Sequence, residues 1–288
     1  MRSSRRRITR RRIATISVDM GIVVGLDVGG SNTKIVGLSG RDIIDFQMAR
    51  ASDPVASAFG ALGKFLDANK LAISDIECLK ITGVGADFPS GDLLGIPTLR
   101  VKEFLATGLG GLFLTGLSGA VVVSMGTGTA FIEVRENSVR HIIGSGVGGG
   151  TLLGLSHSIL HIRDFDMLSE MSASGNLAHI DLSIGDISKV EIPGLSMDTT
   201  ASNFGKTLEN AEREDLAAGI VNLVYQSVGT MAVLAARTVN TTDIILTGHM
   251  TSSPSCREIF DSFSKLYEVT FHIPDGALYA TAIGAGIV

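Results

Sequence analysis

Three glycine-containing turns, each directly after an apolar run, are the parts of this sequence best suited to chemistry. They span residues 27–34, 125–129 and 247–250. Backbone N–H groups in such turns can surround a polyphosphate, because glycine places no Cβ in the way. Asp27, at the end of the first apolar run, could organise a hydrated Mg²⁺ ion beside those phosphates. The three turns together therefore predict a polyphosphate site.

A further glycine cluster, at residues 144–154, leads into a predicted helix. The N-terminus of such a helix can bind an anion through its free N–H groups. The residues 144–149 match G-x-G-x-x-G, but the strand–helix unit and acidic residue of a dinucleotide site do not follow. No G-x-x-x-x-G-K-[ST] segment occurs, which excludes a P-loop.

Glu103 stands immediately before a stretch without charged residues, at 104–132. Phosphorylation of an alcohol needs a base for the hydroxyl proton, and a carboxylate at the edge of a buried region could supply it. The alternative is that Glu103 only stabilises the first turn of a helix through the macrodipole. Comparable alternatives remain for Lys34, as a surface lysine at a strand edge, and for His249, as a capping or core histidine.

The elements that must position these residues form two similar groups. Period-two and apolar patterns predict strands at 22–26, 33–38, 43–49, 78–83, 120–125, 129–135 and 243–246, and helices at 54–72, 105–114 and 215–238. Strands followed by strand–helix alternation, twice over, indicate two α/β domains with a cleft between them. We expect a basic disordered extension at 1–19 and subdomains at 20–105 and 106–288.

Composition excludes several classes of protein. The chain has 288 residues, 35 of them glycine, with 45% hydrophobic and 18% charged residues, which is too apolar for a disordered chain. The charge-free stretch is long enough to span a bilayer, but seven glycines interrupt it, which favours a buried core. Two cysteines, Cys78 and Cys256, form no disulfide framework, so a reducing, cytoplasmic setting is expected.

The charge is divided unevenly along the chain. Seven arginines lie within residues 1–12, whereas residues 20–288 hold 17 basic and 28 acidic residues, a net charge of −11. An acidic body argues against nucleic acid as the main partner. The basic segment has three possible interpretations: a nucleic-acid or membrane arm, a transit-like peptide, or an upstream extension with translation starting at Met20.

The motifs, in this order, resemble known families. The segment D-x-G-G-[ST]-x-x-K at 27–34 is similar to the first phosphate motif of the actin/hexokinase/Hsp70 fold, MGTGT at 125–129 to its second, and ILTGH at 245–249 to its adenosine motif. More narrowly, VSMGTGTAFIEV at 123–134 with GVGGGTLLGLS at 146–156 resembles type II pantothenate kinases, relatives of the eukaryotic pantothenate kinases. The resemblance implies a two-domain actin-like ATPase (ASKHA, ribonuclease H-like) fold with a nucleotide cleft between the domains.

The resemblance also implies roles for particular residues. It makes Glu103 the catalytic base and Asp27 an indirect Mg²⁺ ligand. The implied ATP-binding residues are Asp27, Gly29, Gly30, Ser31, Lys34, Thr127, Gly128, Gly149, Gly150, Thr151, Phe165, Gly248 and His249. Glu103 and Thr127 would also contact the acceptor. The family usually has an arginine for the pantothenate carboxylate before the GGG turn, where this chain has His141 preceded by Arg140, so either residue could bind it.

The expected activity is the ATP- and Mg²⁺-dependent phosphorylation of pantothenate to 4′-phosphopantothenate, the first step of coenzyme A biosynthesis. The resemblance implies a homodimer, and the cysteine content, the acidic body and the glycine-interrupted apolar stretch lead us to expect a cytoplasmic protein without a nucleic-acid or membrane partner. The alternatives are a sugar or amino-sugar kinase, or a BadF-type ATPase, of the same fold. A non-catalytic nucleotide-binding regulator is a further alternative, which the displaced arginine favours and the retained Asp27, Lys34 and Glu103 oppose.

Overall fold

The computed structural model describes residues 21–30, 32–50, 53–83, 85, 91–135, 138–190 and 192–288. The predicted basic extension at 1–19 and the predicted ATP ligand Ser31 lie outside these described residues.

The first group of elements forms a five-stranded sheet with one long helix. Its members are β1 (Ile22–Val28), β2 (Thr33–Ser39), β3 (Asp42–Ala49), α1 (Pro54–Asn69), β4 (Ile76–Thr82) and β5 (Thr98–Arg100). The strand order is β3-β2-β1-β4-β5, with β1 to β3 antiparallel and with β4 and β5 added in parallel. The predicted strands are present, and β5 is an additional strand that the sequence patterns did not predict.

The rest of the chain forms a second five-stranded sheet and most of the helices. In order these are α2 (Glu103–Thr115), β6 (Gly119–Met125), β7 (Thr129–Arg135), β8 (Ser138–Ser145), α3 (Gly149–Leu160), α4 (Phe165–Ser172), β9 (Leu182–Ser183), α5 (Ile184–Ile187), β10 (Thr200–Ser202), α6 (Arg213–Thr238), β11 (Asp243–Thr247), α7 (Pro254–Tyr267), β12 (Thr270–His272) and α8 (Ala280–Ile287). β9 and β10 pair separately.

The second sheet repeats the strand plan of the first. Its order is β12-β11-β6-β7-β8, again three antiparallel strands extended by two parallel ones. Each sheet buries one face against its own helices and has its own apolar core. The repeated plan agrees with the two similar groups of elements predicted from the sequence.

The helix α6 is the central core helix of the second group. Its 26 residues are long and apolar enough, by length and composition, to cross a membrane, but 67% of its most apolar 18-residue window is buried inside the fold. Val224, Tyr225 and Val228 are fully buried in the large cluster that this helix shares with the sheet. Packing within the fold therefore accounts for its apolar character.

Two helices rich in small residues join the two groups. α2 packs on β6 and β7, whereas α8 packs on β1, β2 and β4, and the two helices cross in close contact. A Cβ on Gly110 would lie 1.8 Å from the Ala280 carbonyl oxygen, and one on Gly284 would lie 1.7 Å from that of Ala106. Only glycine permits this approach. The crossing holds the start of α2 at the base of the space between the sheets. The boundary at residues 105 and 106 stays a prediction.

Candidate active site

A cleft of about 870 Å³ lies between the two groups of elements and receives residues from both. The predicted site residues that line it are Asp27, Gly29, Gly30, Lys34, Glu103, Thr127, Gly128, His141, Gly149, Gly150, Phe165, Gly248 and His249. Thr151 and Arg140 are not in the lining. The structure thus brings together residues that are up to 222 positions apart in the chain.

The first turn, between β1 and β2, is open and carries charge. Asp27 and Lys34 face each other in the antiparallel register, and their side chains form an ion pair of 3.3 Å that is largely buried. No heavy atom lies within 4 Å of the position that a Cβ on Gly30 would occupy. The side-chain oxygen of Asn32, Oδ1, is buried without a hydrogen-bond partner and faces the same cleft. A polar ligand at this turn would satisfy that oxygen.

The second turn, between β6 and β7, is closed by the glycines at the start of α3. A Cβ on Gly148 would lie 2.8–2.9 Å from three backbone atoms of Gly128. The N–H groups of Gly149 and Gly150 donate to the carbonyl oxygens of Gly126 and Thr127, at 2.9 and 2.8 Å. The expectation that the start of this helix offers free amides to an anion is therefore wrong for these two groups, because the turn already uses them.

Thr151 stabilises the start of α3 rather than lining the cleft. Its hydroxyl donates to the Gly146 carbonyl oxygen at 2.8 Å and accepts from the Gly148 N–H at 3.3 Å. These two bonds hold the glycine segment against the turn.

The third turn follows β11 and places an imidazole in the cleft. Gly248 has a φ of 98°, and a Cβ there would lie 2.4 Å from the Met125 carbonyl oxygen, so glycine is required. His249 contacts the ring of Phe165 edge-on, with the ring centroids 4.8 Å apart. Burial first, and then the positive charge of Lys34, lower the pKa of His249. Its buried Nδ1 has no partner, so a neutral imidazole is left with a free polar atom at the cleft.

Glu103 is the first residue of α2 and reaches the cleft from its base. Burial raises the pKa of its carboxyl group, the nearby charge of Asp27 raises it further, and Lys34 opposes both. A carboxylate with a raised pKa holds a transferred proton better at neutral pH than an ordinary one does. The location and the pKa direction both suit a general base.

The structure separates the two candidates for the acceptor's acid group. Arg140 lies opposite Glu133 on β7, and its Nε donates to the Glu133 carboxylate at 2.8 Å, outside the cleft lining. His141 lies opposite Ile132 and lines the cleft, with its ring stacked on Phe104. Neighbouring residues of a strand point to opposite faces of a sheet, which explains the difference.

Several cleft residues were missed in the sequence. Arg50, at the end of β3, reaches Asp164 and Asp166 at the start of α4, with nitrogen–oxygen distances of 3.4 and 3.5 Å, and so connects the two groups of elements across the cleft. Arg50 and Asp164 lie 114 positions apart, and no local pattern links them. Asn32 lies within the first turn and Phe104 directly follows Glu103, and only this proximity to predicted site residues could have identified them from the sequence.

The site fits a Mg²⁺ ion that arrives with a nucleotide rather than a permanent metal centre. The described residues contain no group of three or more His, Cys, Asp or Glu side chains that could hold a metal ion. Asp27 is a mostly buried carboxylate that lines the cleft. Mg²⁺ commonly takes one or two carboxylates together with waters and substrate phosphates, so one such group beside a polyphosphate site is sufficient.

Comparisons with known proteins agree with this picture. The chain is 29% identical to a type II pantothenate kinase of Staphylococcus haemolyticus and 28% identical to one of Staphylococcus aureus. Each match covers 91% of this chain, with 98% and 97% of the relative. The expected resemblance to type II pantothenate kinases is therefore confirmed.

Solved structures confirm the fold. The fold is similar to that of component A of the (R)-2-hydroxyglutaryl-CoA dehydratase of Acidaminococcus fermentans, with a TM-score of 0.67 and 18% identity, covering 93% of this chain and 96% of the other. A ROK family glucokinase from Streptomyces griseus, in complex with glucose and AMPPNP, matches with a TM-score of 0.58 and 13% identity, covering 92% and 98%. The architecture is the predicted two-domain actin-like ATPase fold.

A protein-family model also matches the sequence of this chain. It is that of Fumble, and it matches residues 119–264, about half of the chain, from β6 through most of α7. This protein therefore belongs to the Fumble family.

Proposed function

We propose that this protein is a kinase that transfers the γ-phosphoryl group of ATP to the primary hydroxyl of pantothenate, forming 4′-phosphopantothenate. The observation that carries the proposal is the position of Glu103, at the base of one cleft with Asp27 and the turn at residues 126–128. The names of the type II pantothenate kinase relatives support the acceptor, and their kinase activity implies the use of ATP. The reaction is the first step of coenzyme A biosynthesis.

We infer that ATP lies between the two phosphate turns, with its base toward the third turn. Lys34 and the backbone around Gly29 and Gly30 would contact phosphate oxygens at the open turn, and Thr127 and Gly128 would do so from the other side. A neutral His249 with a free Nδ1 suits hydrogen bonding to an uncharged base. Phe165 and the backbone of Gly149, Gly150 and Gly248 would complete the walls of the nucleotide site.

For phosphoryl transfer in this arrangement, the protein has mainly to position the two substrates and to stabilise the charge of the phosphates. Glu103 accepts the proton of the acceptor hydroxyl while the hydroxyl oxygen forms a bond to the γ-phosphorus. The bond between that phosphorus and the β–γ bridging oxygen breaks, and its electron pair leaves with ADP. Bound Mg²⁺ would neutralise phosphate charge, and Asp27 would hold it through water.

The predicted homodimer rests on the resemblance, and the predicted cytoplasmic location rests on the cysteine content. Most apolar residues of the long helix α6 pack in the core, where Ile220 and Val224 are fully buried. Leu234, which is 55% exposed, remains available to a second copy. Size-exclusion chromatography with light scattering is expected to give twice the mass of one chain, and a monomer would contradict the dimer.

The function is tested by identifying the product. The purified protein with ATP, Mg²⁺ and pantothenate should yield ADP and 4′-phosphopantothenate, detected by phosphorus NMR and mass spectrometry. Glucose and N-acetylglucosamine serve as parallel acceptors, because sugar and amino-sugar kinases share this fold. Phosphorylation of a sugar but not of pantothenate would overturn the proposal. ATP hydrolysis unaffected by any acceptor would indicate an ATPase instead.

A further inference from the structure

Asn32 is a polar residue of the cleft to which the proposed reaction gives no role. It lies immediately before β2, and its side chain lines the cleft. Within the described part of the chain, its buried Oδ1 accepts no hydrogen bond. An asparagine in a tight turn commonly accepts from a nearby backbone N–H, which would satisfy this oxygen within the fold. The unsatisfied oxygen therefore costs stability and indicates a ligand.

The β1–β2 hairpin places Asn32 on the same face as the charged pair. Asp27 lies opposite Lys34, and the next pair toward the turn is Val28 with Thr33. Successive residues of a strand point to opposite faces, so Asn32 returns to the face of Asp27. In agreement, Val28 and Thr33 are fully buried and do not line the cleft, whereas Asp27, Asn32 and Lys34 do.

There is space for a ligand beside Asn32. Its partner across the turn is Gly29, whose N–H donates to the Asn32 carbonyl oxygen at 3.2 Å. Gly29 has no side chain that could cover the cleft face at this point. No heavy atom lies within 4 Å of the position that a Cβ on Gly30 would occupy. A ligand in the cleft can therefore reach the side-chain oxygen of Asn32 from the side on which Asp27 also lies.

The ligand of this oxygen must be a hydrogen-bond donor. An amide oxygen only accepts, and ionised phosphate oxygens are acceptors as well, so the phosphates of ATP cannot satisfy it. The ammonium group of Lys34 donates to Asp27, at 3.3 Å. The waters of a hydrated Mg²⁺ ion are strong donors, and Mg²⁺ keeps several of them when it binds with a nucleotide.

We propose that Asn32 is a second residue that holds the hydrated Mg²⁺ ion of the nucleotide: its Oδ1 accepts a hydrogen bond from one water of the ion, and Asp27 accepts from another. The inference rests on the proposed use of Mg·ATP. Two acceptor oxygens on one face of one hairpin can bind two waters of the same ion and so fix its orientation. Asn32 is a positioning residue, since it acts on the phosphates only through the ion.

The contribution of Asn32 to nucleotide binding should appear only when Mg²⁺ is present. Titration calorimetry with AMPPNP is carried out at saturating Mg²⁺ and again with EDTA in place of the metal. Asn32→Leu should weaken the binding of Mg·AMPPNP by about three- to tenfold, which is the effect of one lost hydrogen bond. The affinity for metal-free AMPPNP should stay unchanged, because the oxygen has no donor on the phosphates.

Two further variants assign the effect to the acceptor oxygen. Asn32→Asp keeps an acceptor at this position, so Mg²⁺ should increase its affinity for AMPPNP at least as much as in the unaltered protein. A gain as small as in Asn32→Leu would mean that the amide acts as a donor, and would overturn the inference. Asn210→Leu, at an exposed asparagine of a turn outside the cleft lining, is the matched control and should change neither affinity.

Two measurements on the protein without turnover give independent readouts. Electron paramagnetic resonance of Mn²⁺ with the AMPPNP complex should show a dissociation constant about three- to tenfold higher in Asn32→Leu. Because Oδ1 has no partner, Asn32→Leu should not lower the thermal unfolding midpoint of the ligand-free protein. The rise in midpoint produced by Mg·AMPPNP should be smaller than in the unaltered protein. A lower ligand-free midpoint with an unchanged rise would assign the side chain to the fold and overturn the inference.

Binding and turnover together distinguish this inference from the proposed function. Equal losses of affinity with and without Mg²⁺ would mean that Asn32 contacts the phosphates directly, and a loss confined to the KM for pantothenate would mean that it contacts the acceptor. Either result would overturn the inference even if pantothenate is phosphorylated. The binding measurements contain no acceptor, so a loss specific to Mg²⁺ without phosphorylation of pantothenate would overturn the proposed function and support the inference.

Discussion

The first turn, between β1 and β2, and the second turn, between β6 and β7, occupy corresponding places in two sheets of the same strand plan, yet they are built differently. The first turn is open at Gly30 and carries the Asp27–Lys34 ion pair. In the second, the side chain at the tip is the uncharged Thr127, and the glycines of α3 pack tightly against its backbone. A glycine-rich turn can therefore leave open space and charge for a ligand, or it can allow two backbone segments to pack closely. Substitution of the charged residues of the first turn should therefore affect catalysis, whereas substitution of the glycines packed against the second turn should affect stability.

Among substitutions in the two turns, Asp27→Asn should have the largest effect. Asp27→Asn should lower kcat by about 10- to 100-fold, because the amide is a poorer partner for hydrated Mg²⁺. Steady-state kinetics across Mg²⁺ concentrations, with thermal unfolding in parallel, measure the two properties. Asp42→Asn, an exposed aspartate of the same sheet, is the control. A catalytic loss that matches the loss of folded protein would contradict the functional assignment.

Substitution of a glycine packed against the second turn should lower the stability of the protein. Gly148→Ala forces a Cβ against the backbone of Gly128 and should lower the free energy of unfolding by about 1–3 kcal/mol. Gly30→Ala enters open space at the first turn and should change it by less than about 0.5 kcal/mol.

Denaturant titration gives both values. Gly154→Ala, on the exposed side of the same helix, should raise stability by up to about 1 kcal/mol and controls for helix propensity. Equal destabilisation by Gly148→Ala and Gly30→Ala would refute the distinction between the turns.

The charges of the first turn should also shift the pH dependence of turnover. A general base must be deprotonated, so kcat should fall as the pH drops through the raised pKa of Glu103, with a midpoint above the ordinary 4.5. Asp27 raises this pKa and Lys34 lowers it. The acid limb of the kcat profile should therefore move to lower pH in Asp27→Asn and to higher pH in Lys34→Gln. Movement of both variants in the same direction would be inconsistent with the electrostatic account.

The smallest effect is expected from loss of the ion pairs that connect the two groups of elements. Arg50→Gln removes exposed ion pairs to Asp164 and Asp166, which contribute about 0–1 kcal/mol. We expect the KM for ATP to rise no more than about fivefold, and less at high salt, where such pairs are already screened. Kinetics at two salt concentrations measure this difference. A larger effect that salt does not reduce would mean that Arg50 contacts the nucleotide directly.

The sequence predicted the strands and turns because their signals are local. Short apolar runs mark β1, β2, β6 and β7, and glycine marks the turns between them. The use of the α3 amides was not predictable, since it depends on contact between residues 126–127 and 149–150. The stacking of Phe104 on His141 and the reach of Arg50 to α4 also depend on tertiary packing. Local sequence patterns were thus sufficient to locate the candidate site, whereas the contacts of its side chains could be identified only from the three-dimensional structure.

The central claim is that Glu103 is the base in phosphoryl transfer to an acceptor bound in the cleft. The most direct measurement is the kcat of Glu103→Gln with saturating ATP, Mg²⁺ and pantothenate, together with its affinity for AMPPNP. Glu170→Gln, an exposed glutamate of α4, is the control. The account predicts a loss of about 100- to 10,000-fold in kcat, with nucleotide affinity unchanged. Turnover near that of the unaltered protein would contradict it.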